Sequence, residues 1–329
     1  MTTANHHPPP LWYAGHNLLS AVALPSLRRS SSPELPASLR VLPSIWLDRL
    51  PAVPDWAHQW KDPDGNICLQ LAYPATGNAP TPSWHRLRAP RVCDFVIEVA
   101  PGTATIRTEY DTEIAAETLE HLLIDQVLPR VLSEMGALVT HASCCKIADH
   151  CALFIGDSGW GKSTLVSLLQ DCGHLPLSDD CVRLDNIAER VLATSTYPSL
   201  RLFTDSIEHV GIVSSALTSV AAYTGKRRIS MPDQHPPEAV AVRAIYLLNN
   251  PQQPASTIRI TPVSPAHACM ALVGQGFRLD LTARHRNISF LQQAAEVARK
   301  VPAFTLSYPR EYTQTNTLIA QLLQHLETL

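Results

Sequence analysis

The feature that most constrains this chain is Gly156-Asp157-Ser158-Gly159-Trp160-Gly161-Lys162-Ser163, a full match to the GxxxxGK[ST] phosphate-binding pattern. Its flanks agree with it. Apolar Ala152 to Ile155 predict a strand before the loop, and Leu165, Leu168 and Leu169 give helical spacing after it, closed by Gly173. Glycines allow backbone N–H groups to turn inward around phosphate oxygens, and the helix N-terminus adds the positive end of its dipole. In this pattern Lys162 reaches the β- and γ-phosphates and the Ser163 hydroxyl helps hold Mg²⁺, with Gly156 through Thr164 as the nucleotide-binding stretch. A glycine-rich turn with a chance lysine would not require both flanks.

A phosphate loop serves kinases, motors, transporters and GTPases alike, so the residues after it narrow the choice. Gly173-His174-Leu175-Pro176-Leu177-Ser178-Asp179-Asp180 places paired carboxylates sixteen and seventeen residues beyond Ser163. Motor and transporter ATPases usually carry their second acidic motif much further on, and the sequence has no NKxD guanine-selecting motif. A short loop–helix–strand unit ending in two acids brings both beside the γ-phosphate. One can help bind Mg²⁺ and the other can accept a proton from an attacking hydroxyl. The spacing does not say which acid does which, and a turn-capping Asp pair is the plainer alternative. GDSG with His141 upstream superficially resembles a serine-protease pairing. Ser158, however, lies inside the phosphate loop and only seventeen residues from that histidine, so the protease reading fails.

In order, His141, Gly156 to Ser163, and Gly173-His174 to Asp179-Asp180 resemble HPr kinases and the wider set of HPr-kinase-related proteins. There a histidine, a GDSGxGKS loop and a GHxLxxDD segment recur. The resemblance covers residues 136–210 well. It runs more loosely to the end through Tyr197-Pro198-Ser199-Leu200-Arg201-Leu202 and Gly225-Lys226-Arg227-Arg228, and Tyr13 to Leu27 looks like the start of members with their own accessory domain. It implies an α/β fold related to phosphoenolpyruvate carboxykinase and Mg²⁺-dependent transfer from ATP to a serine hydroxyl. It also implies catalytic roles for His141, Asp179 and Asp180, with Ser163 and Asp179 at the metal. Arg201, Lys226, Arg227 and Arg228 are expected near the transferring phosphate or an acidic substrate, the last three in a loop.

The family's ExRG-type segment is Ser199-Leu200-Arg201-Leu202 here, so its Glu is missing. That puts a second metal ligand and phosphorylase activity in doubt, and the different N-terminal module does the same for HPr as substrate. Some HPr-kinase-like proteins phosphorylate a C-terminal serine in lasso-peptide pathways, so a peptide or small protein is the partner the resemblance implies. A non-catalytic ATP-binding module and a kinase of a small-molecule alcohol remain alternatives. The family's members assemble, which leaves a homo-oligomer open.

Organisation along the chain supports two parts joined by a helix. Residues 1–110 hold fifteen of the twenty-seven Pro and five of the six Trp, with strand-like runs at Ile67–Leu71 and Phe95–Val99, and read as a β-rich N-terminal domain. Residues 111–135 read as a connecting helix kinked at Pro129. Residues 136–329 alternate strands and helices, the kinase-type α/β domain, with a continuous strand expected over Ala137–Ile147. At a net charge of −3 with 17% charged residues, nothing marks a nucleic-acid surface. No apolar stretch is long enough to span a bilayer and no signal peptide is evident, so a cytoplasmic protein without membrane contact is expected. The eight Cys lack zinc spacing and read as reduced core residues.

Overall fold

The computed structural model describes residues 9–43, 55–61, 64–73, 84–110, 113–197, 199–204, 207, 217–230, 239–253 and 255–329; Pro198 of the Tyr197–Leu202 segment lies outside them. The described residues form a mixed α/β structure with three sheets. The first contains β1 (Leu11–Tyr13), β2 (His16–Ser20), β3 (Leu39–Pro43), β4 (His58–Lys61), β5 (Ile67–Ala72), β6 (His85–Ala89), β7 (Cys93–Ala100) and β8 (Thr103–Tyr110). Their order is β1-β2-β3-β8-β7-β6-β5-β4. Alternation explains why one face is covered: in β6 His85, Leu87 and Ala89 are buried between half-exposed arginines, and in β8 Ala104, Ile106 and Thr108 face in. β7 turns into β8 through Gly102, whose φ of +72° suits a residue without a side chain.

The buried face packs on the expected connecting helix, which is interrupted. α1 (Ala116–Leu122) passes into a π-helical segment, Leu123–Val127, and resumes as α2 (Leu128–Glu134). Pro129 has no N–H to give the carbonyl of Asp125, its α-helical partner, and the π-helical segment ends two residues before it. Leu119, Leu122, Leu123, Val127 and Val131 join Leu18, Leu39, Leu87 and Phe95 in one core.

The second sheet has nine strands: β9 (Leu138–Thr140), β10 (Ala142–Ile147), β11 (His150–Ile155), β12 (Leu175–Ser178), β13 (Val182–Ile187), β14 (Arg190–Ser195), β18 (Val240–Leu248), β19 (Arg259–Pro262) and β20 (Ala303–Ser307). β18 is central. It pairs in parallel with β11 along one side, and on the other with β14 at its start and β20 at its end. The parallel pair is buried on both faces, and its near-continuous apolar sequence follows from that. Cys151, Leu153 and Ile155 pack with Ile245 and Leu247 under α4 (Pro265–Gly274) and α5 (Arg284–Lys300). Ala152 and Phe154 pack with Ala244, Tyr246 and Leu248 under α3 (Lys162–Asp171) and α6 (Thr315–Glu327). A small third sheet of β15 (Ser199–Leu202), β17 (Arg227–Ser230) and β16 (Leu217–Ser219) lies beside α3.

Three expectations need correction. The strand over Ala137–Ile147 is broken at His141, because β9 pairs with β13 while β10 crosses to pair with β11 and β12; His141 gives its backbone N–H to Gln275 O at 2.7 Å. Arg227 and Arg228 stand in β17 and not in a loop. Of the eight cysteines, none in a disulfide, Cys68 and Cys172 are exposed and the other six are buried. Among the described residues no helix is long and apolar enough to cross a membrane.

Candidate active site

The GxxxxGK[ST] loop connects the end of β11 to the start of α3, the strand–loop–helix arrangement that phosphate binding would require. Gly159 and Gly161 have φ of +82° and +84°, and Gly161 is the residue from which α3 starts. A side chain at Gly161 would meet the Arg310 guanidinium at 3.0 Å. The buried Lys162 curls back over the loop, giving its Nζ to Gly156 O at 2.7 Å and Asp157 O at 3.1 Å. Burial lowers its pKa, against the opposing pull of Asp180 and Asp179. The Trp160 N–H closes the turn onto Asp157 O at 3.1 Å. Ser158, Gly159, Gly161, Lys162, Ser163 and Thr164 border a cavity of about 330 Å³.

Past the end of α3 Gly173 takes φ of +86°, and the N–H of His174 reaches back to Leu169 O, so His174 serves this turn through its backbone. The chain then returns along β12 and delivers the two aspartates beside the loop. Asp179 is fully buried and held by three hydrogen bonds. Its Oδ1 accepts from Ser163 Oγ at 2.8 Å and Ser143 Oγ at 2.6 Å, and its Oδ2 from the Arg201 N–H at 2.9 Å. Burial first, then the neighbouring Asp180, raises its pKa above the ordinary carboxylate value. Asp180 has the left-handed φ of +64°, which turns its side chain away from Asp179 and toward the cavity. Its Oδ1 lies 3.2 Å from His141 Nε2, and its Oδ2 accepts from Arg201 Nη1 at 2.8 Å. Burial would raise its pKa, but Lys226, the His141 hydrogen bond and Arg201 outweigh that and hold it well below the ordinary range. The two neighbouring acids therefore have opposite environments, a buried, hydrogen-bonded anchor and an ionised group facing the cavity.

Of the four expected cations, the structure brings two to the cavity. Arg201 and Lys226 line it, the latter with its ammonium 5.4 Å from the centre of the Phe203 ring. Arg227 is exposed and does not border it. Arg228, its neighbour on the opposite face of β17, is buried in an ion pair with Glu120 of α1 and gives Nη1 to Ser26 Oγ at 2.5 Å, so its charge is spent on the core and not on a phosphate. Alternation along a strand forces the two side chains apart.

Several residues at the site carry no motif. Ser143 holds Asp179. Gln275, just past α4, bridges two motif elements: its Nε2 donates to Asp157 Oδ1 at 2.6 Å and its Oε1 lies 3.2 Å from His141 Nδ1. Asp125 meets Arg201 Nη2 at 2.5 Å. Arg310 donates to Trp160 O at 3.0 Å and to Tyr308 Oη. No motif announced Gln275 or Asp125, because Gln275 lies more than a hundred residues from both of its partners and Asp125 lies 76 residues from Arg201; Ser143, two residues after His141, was within reach of the motif.

Ser163 Oγ and Asp179 Oδ1 are two hard oxygen donors side by side, the kind of set that suits Mg²⁺. Among the described residues no three or more His, Cys, Asp or Glu gather into an all-protein cage. Mg²⁺ at phosphate sites takes one or two protein oxygens and completes its shell with phosphates and water; Ser163 borders the cavity, and Asp179 Oδ1 joins such a shell only by giving up its Ser163 or Ser143 hydrogen bond.

No family model matches the chain, and no curated protein matches it. Among solved structures it is similar to the Hpr(Ser) kinase/phosphatase from Coxiella burnetii, at 15% identity and a TM-score of 0.31, over 57% of this chain and 98% of that one. A likeness this slight leaves the functional reading to the side chains themselves.

Proposed function

We propose that this protein is an ATP- and Mg²⁺-dependent kinase that transfers the γ-phosphoryl group to a serine hydroxyl of a peptide or small protein. The observation that carries the reading is Asp180. It is an ionised carboxylate at the cavity wall, held between His141 and Arg201 and bordering the same cavity as Lys162 and Ser163.

In this reading Lys162 leaves its loop carbonyls for the β- and γ-phosphate oxygens, and the N–H groups of the loop complete their cradle. Ser163 and Asp179, the latter exchanging its Ser163 hydrogen bond, would hold Mg²⁺, which would supply neutralisation of charge on the phosphates. Asp180 Oδ1 takes the proton of the acceptor hydroxyl while His141 orients that hydroxyl. The acceptor oxygen forms a bond to the γ-phosphorus and the bond from that phosphorus to the bridging oxygen breaks, releasing nucleoside diphosphate. Arg201 and Lys226 offset the negative charge gathered there. The two acids, equivalent in sequence, thus divide their work: Asp179 at the metal and Asp180 as base. Asp180→Asn tests this division. It is expected to abolish transfer while nucleotide affinity holds within about threefold, and transfer at the wild-type rate would refute the assignment.

A further inference from the structure

Behind the site, on the side away from the cavity, lies a buried charge that the reaction does not use. Asp125 sits in the π-helical segment between α1 and α2, in contact with the fully buried Arg201. We propose that Asp125 is a positioning residue for the candidate reaction: it holds the far end of the Arg201 guanidinium so that Asp180 stays engaged with His141. The inference rests on the kinase reading of the same site.

The geometry is that of a splint. Arg201 Nη2 meets Asp125 Oδ1 at 2.5 Å and Nη1 meets Asp180 Oδ2 at 2.8 Å, with the guanidinium carbon 5.0 Å from the centre of the Tyr197 ring. Asp125 is itself fixed by Tyr197 Oη at 2.5 Å and His121 Nδ1 at 2.7 Å. The widened helical turn that presents it is braced by Tyr13 of β1, whose hydroxyl donates to Ile124 O at 2.6 Å. A guanidinium prefers to grip one carboxylate with two parallel N–H groups. Asp125 prevents this by occupying Nη2, so Arg201 holds Asp180 by Oδ2 alone and Oδ1 remains for His141. Without the Asp125 charge, the Nη2 bond becomes an ordinary neutral one and the interior guanidinium, whose Nε already lacks a partner, is left with Asp180 as its one anionic contact. The guanidinium then turns onto both oxygens of Asp180 and draws it away from His141.

The test is Asp125→Asn, nearly isosteric, with Arg201→Lys as a second variant that keeps the charge but cannot bridge. Both are expected to lower kcat about 10²-fold, the effect of a misplacement near 1 Å, with nucleotide Kd within about twofold. An unaltered kcat in Asp125→Asn overturns the proposal. Nitrogen-15 NMR of the guanidinium supplies a readout without turnover. Asp125→Asn should shift the Arg201 Nη1 signals as well as the Nη2 signals, and Nη1 signals left in place overturn it. If wild-type protein phosphorylates no acceptor the kinase reading fails, and the NMR experiment still decides the splint.

Discussion

Replacing Glu120 by Ala removes one half of an ion pair that the sequence hides. Glu120 and Arg228 are each about 2% exposed, and Glu120 Oε1 also accepts the N–H of Ser26 at 2.7 Å. Arg228 already has Nε and Nη2 without partners, so losing Glu120 strands a nearly naked guanidinium inside the protein. Breaking a buried pair from one side costs about 3–5 kcal/mol. Here the upper half of that range is expected, because the Ser26 amide is left unpaired as well, adding about 1 kcal/mol. Urea denaturation followed by tryptophan fluorescence reads the loss. Glu120→Leu combined with Arg228→Met should return stability to within roughly 1 kcal/mol of wild type, as paired charges replaced by apolar groups often do. The double variant should also keep its phosphotransfer rate. A Glu120→Ala cost below about 1 kcal/mol would refute the burial argument. A double variant that folds but no longer transfers phosphate would return Arg228 to the reaction.

Acid should weaken the fold through His85, whose pKa burial lowers to about 4 and whose two ring nitrogens lack partners. The unfolded chain takes up that proton from about pH 6.5 downward and the folded chain does not, so stability falls between pH 6.5 and 4 by up to roughly 3 kcal/mol. His85→Leu should flatten that part of the stability–pH curve, and an unchanged slope would refute the assignment. Gly161→Ala imposes a side chain at φ of +84° against Arg310, and calorimetry should show nucleotide affinity reduced at least tenfold, unchanged affinity contradicting the loop geometry. A thiol reagent should modify Cys68 and Cys172 quickly in the native protein and the six buried cysteines only after denaturation.

The parts of the site that could be read from the sequence are those carried by contiguous residues. The loop, its strand and its helix are local, because glycine conformations and apolar spacing impose them within a few residues. The acidic pair was legible for the same reason, being one short strand away. The different roles of Asp179 and Asp180 were not. They depend on Ser143, His141 and Arg201 arriving from other strands, and on a left-handed backbone at Asp180 that no residue type announces. The break at His141 was hidden because strand propensity is continuous across it, while the partner strands change. Lys226, Arg227 and Arg228 read as one basic cluster, and only the pleat of β17 together with Glu120 on a distant helix separates them. The basic run preserved the right residue at Lys226 and misplaced its neighbours.

The measurement that tests the central claim most directly is intact-mass spectrometry of a serine-terminated peptide incubated with the purified protein and Mg-ATP. The account predicts the mass gain of one phosphate, lost when the serine is replaced by alanine and lost with Lys162→Ala or Asp180→Asn. No gain across a panel of serine peptides, in protein shown to bind ATP in the same sample, would contradict it. So would a gain that persists undiminished in Asp180→Asn.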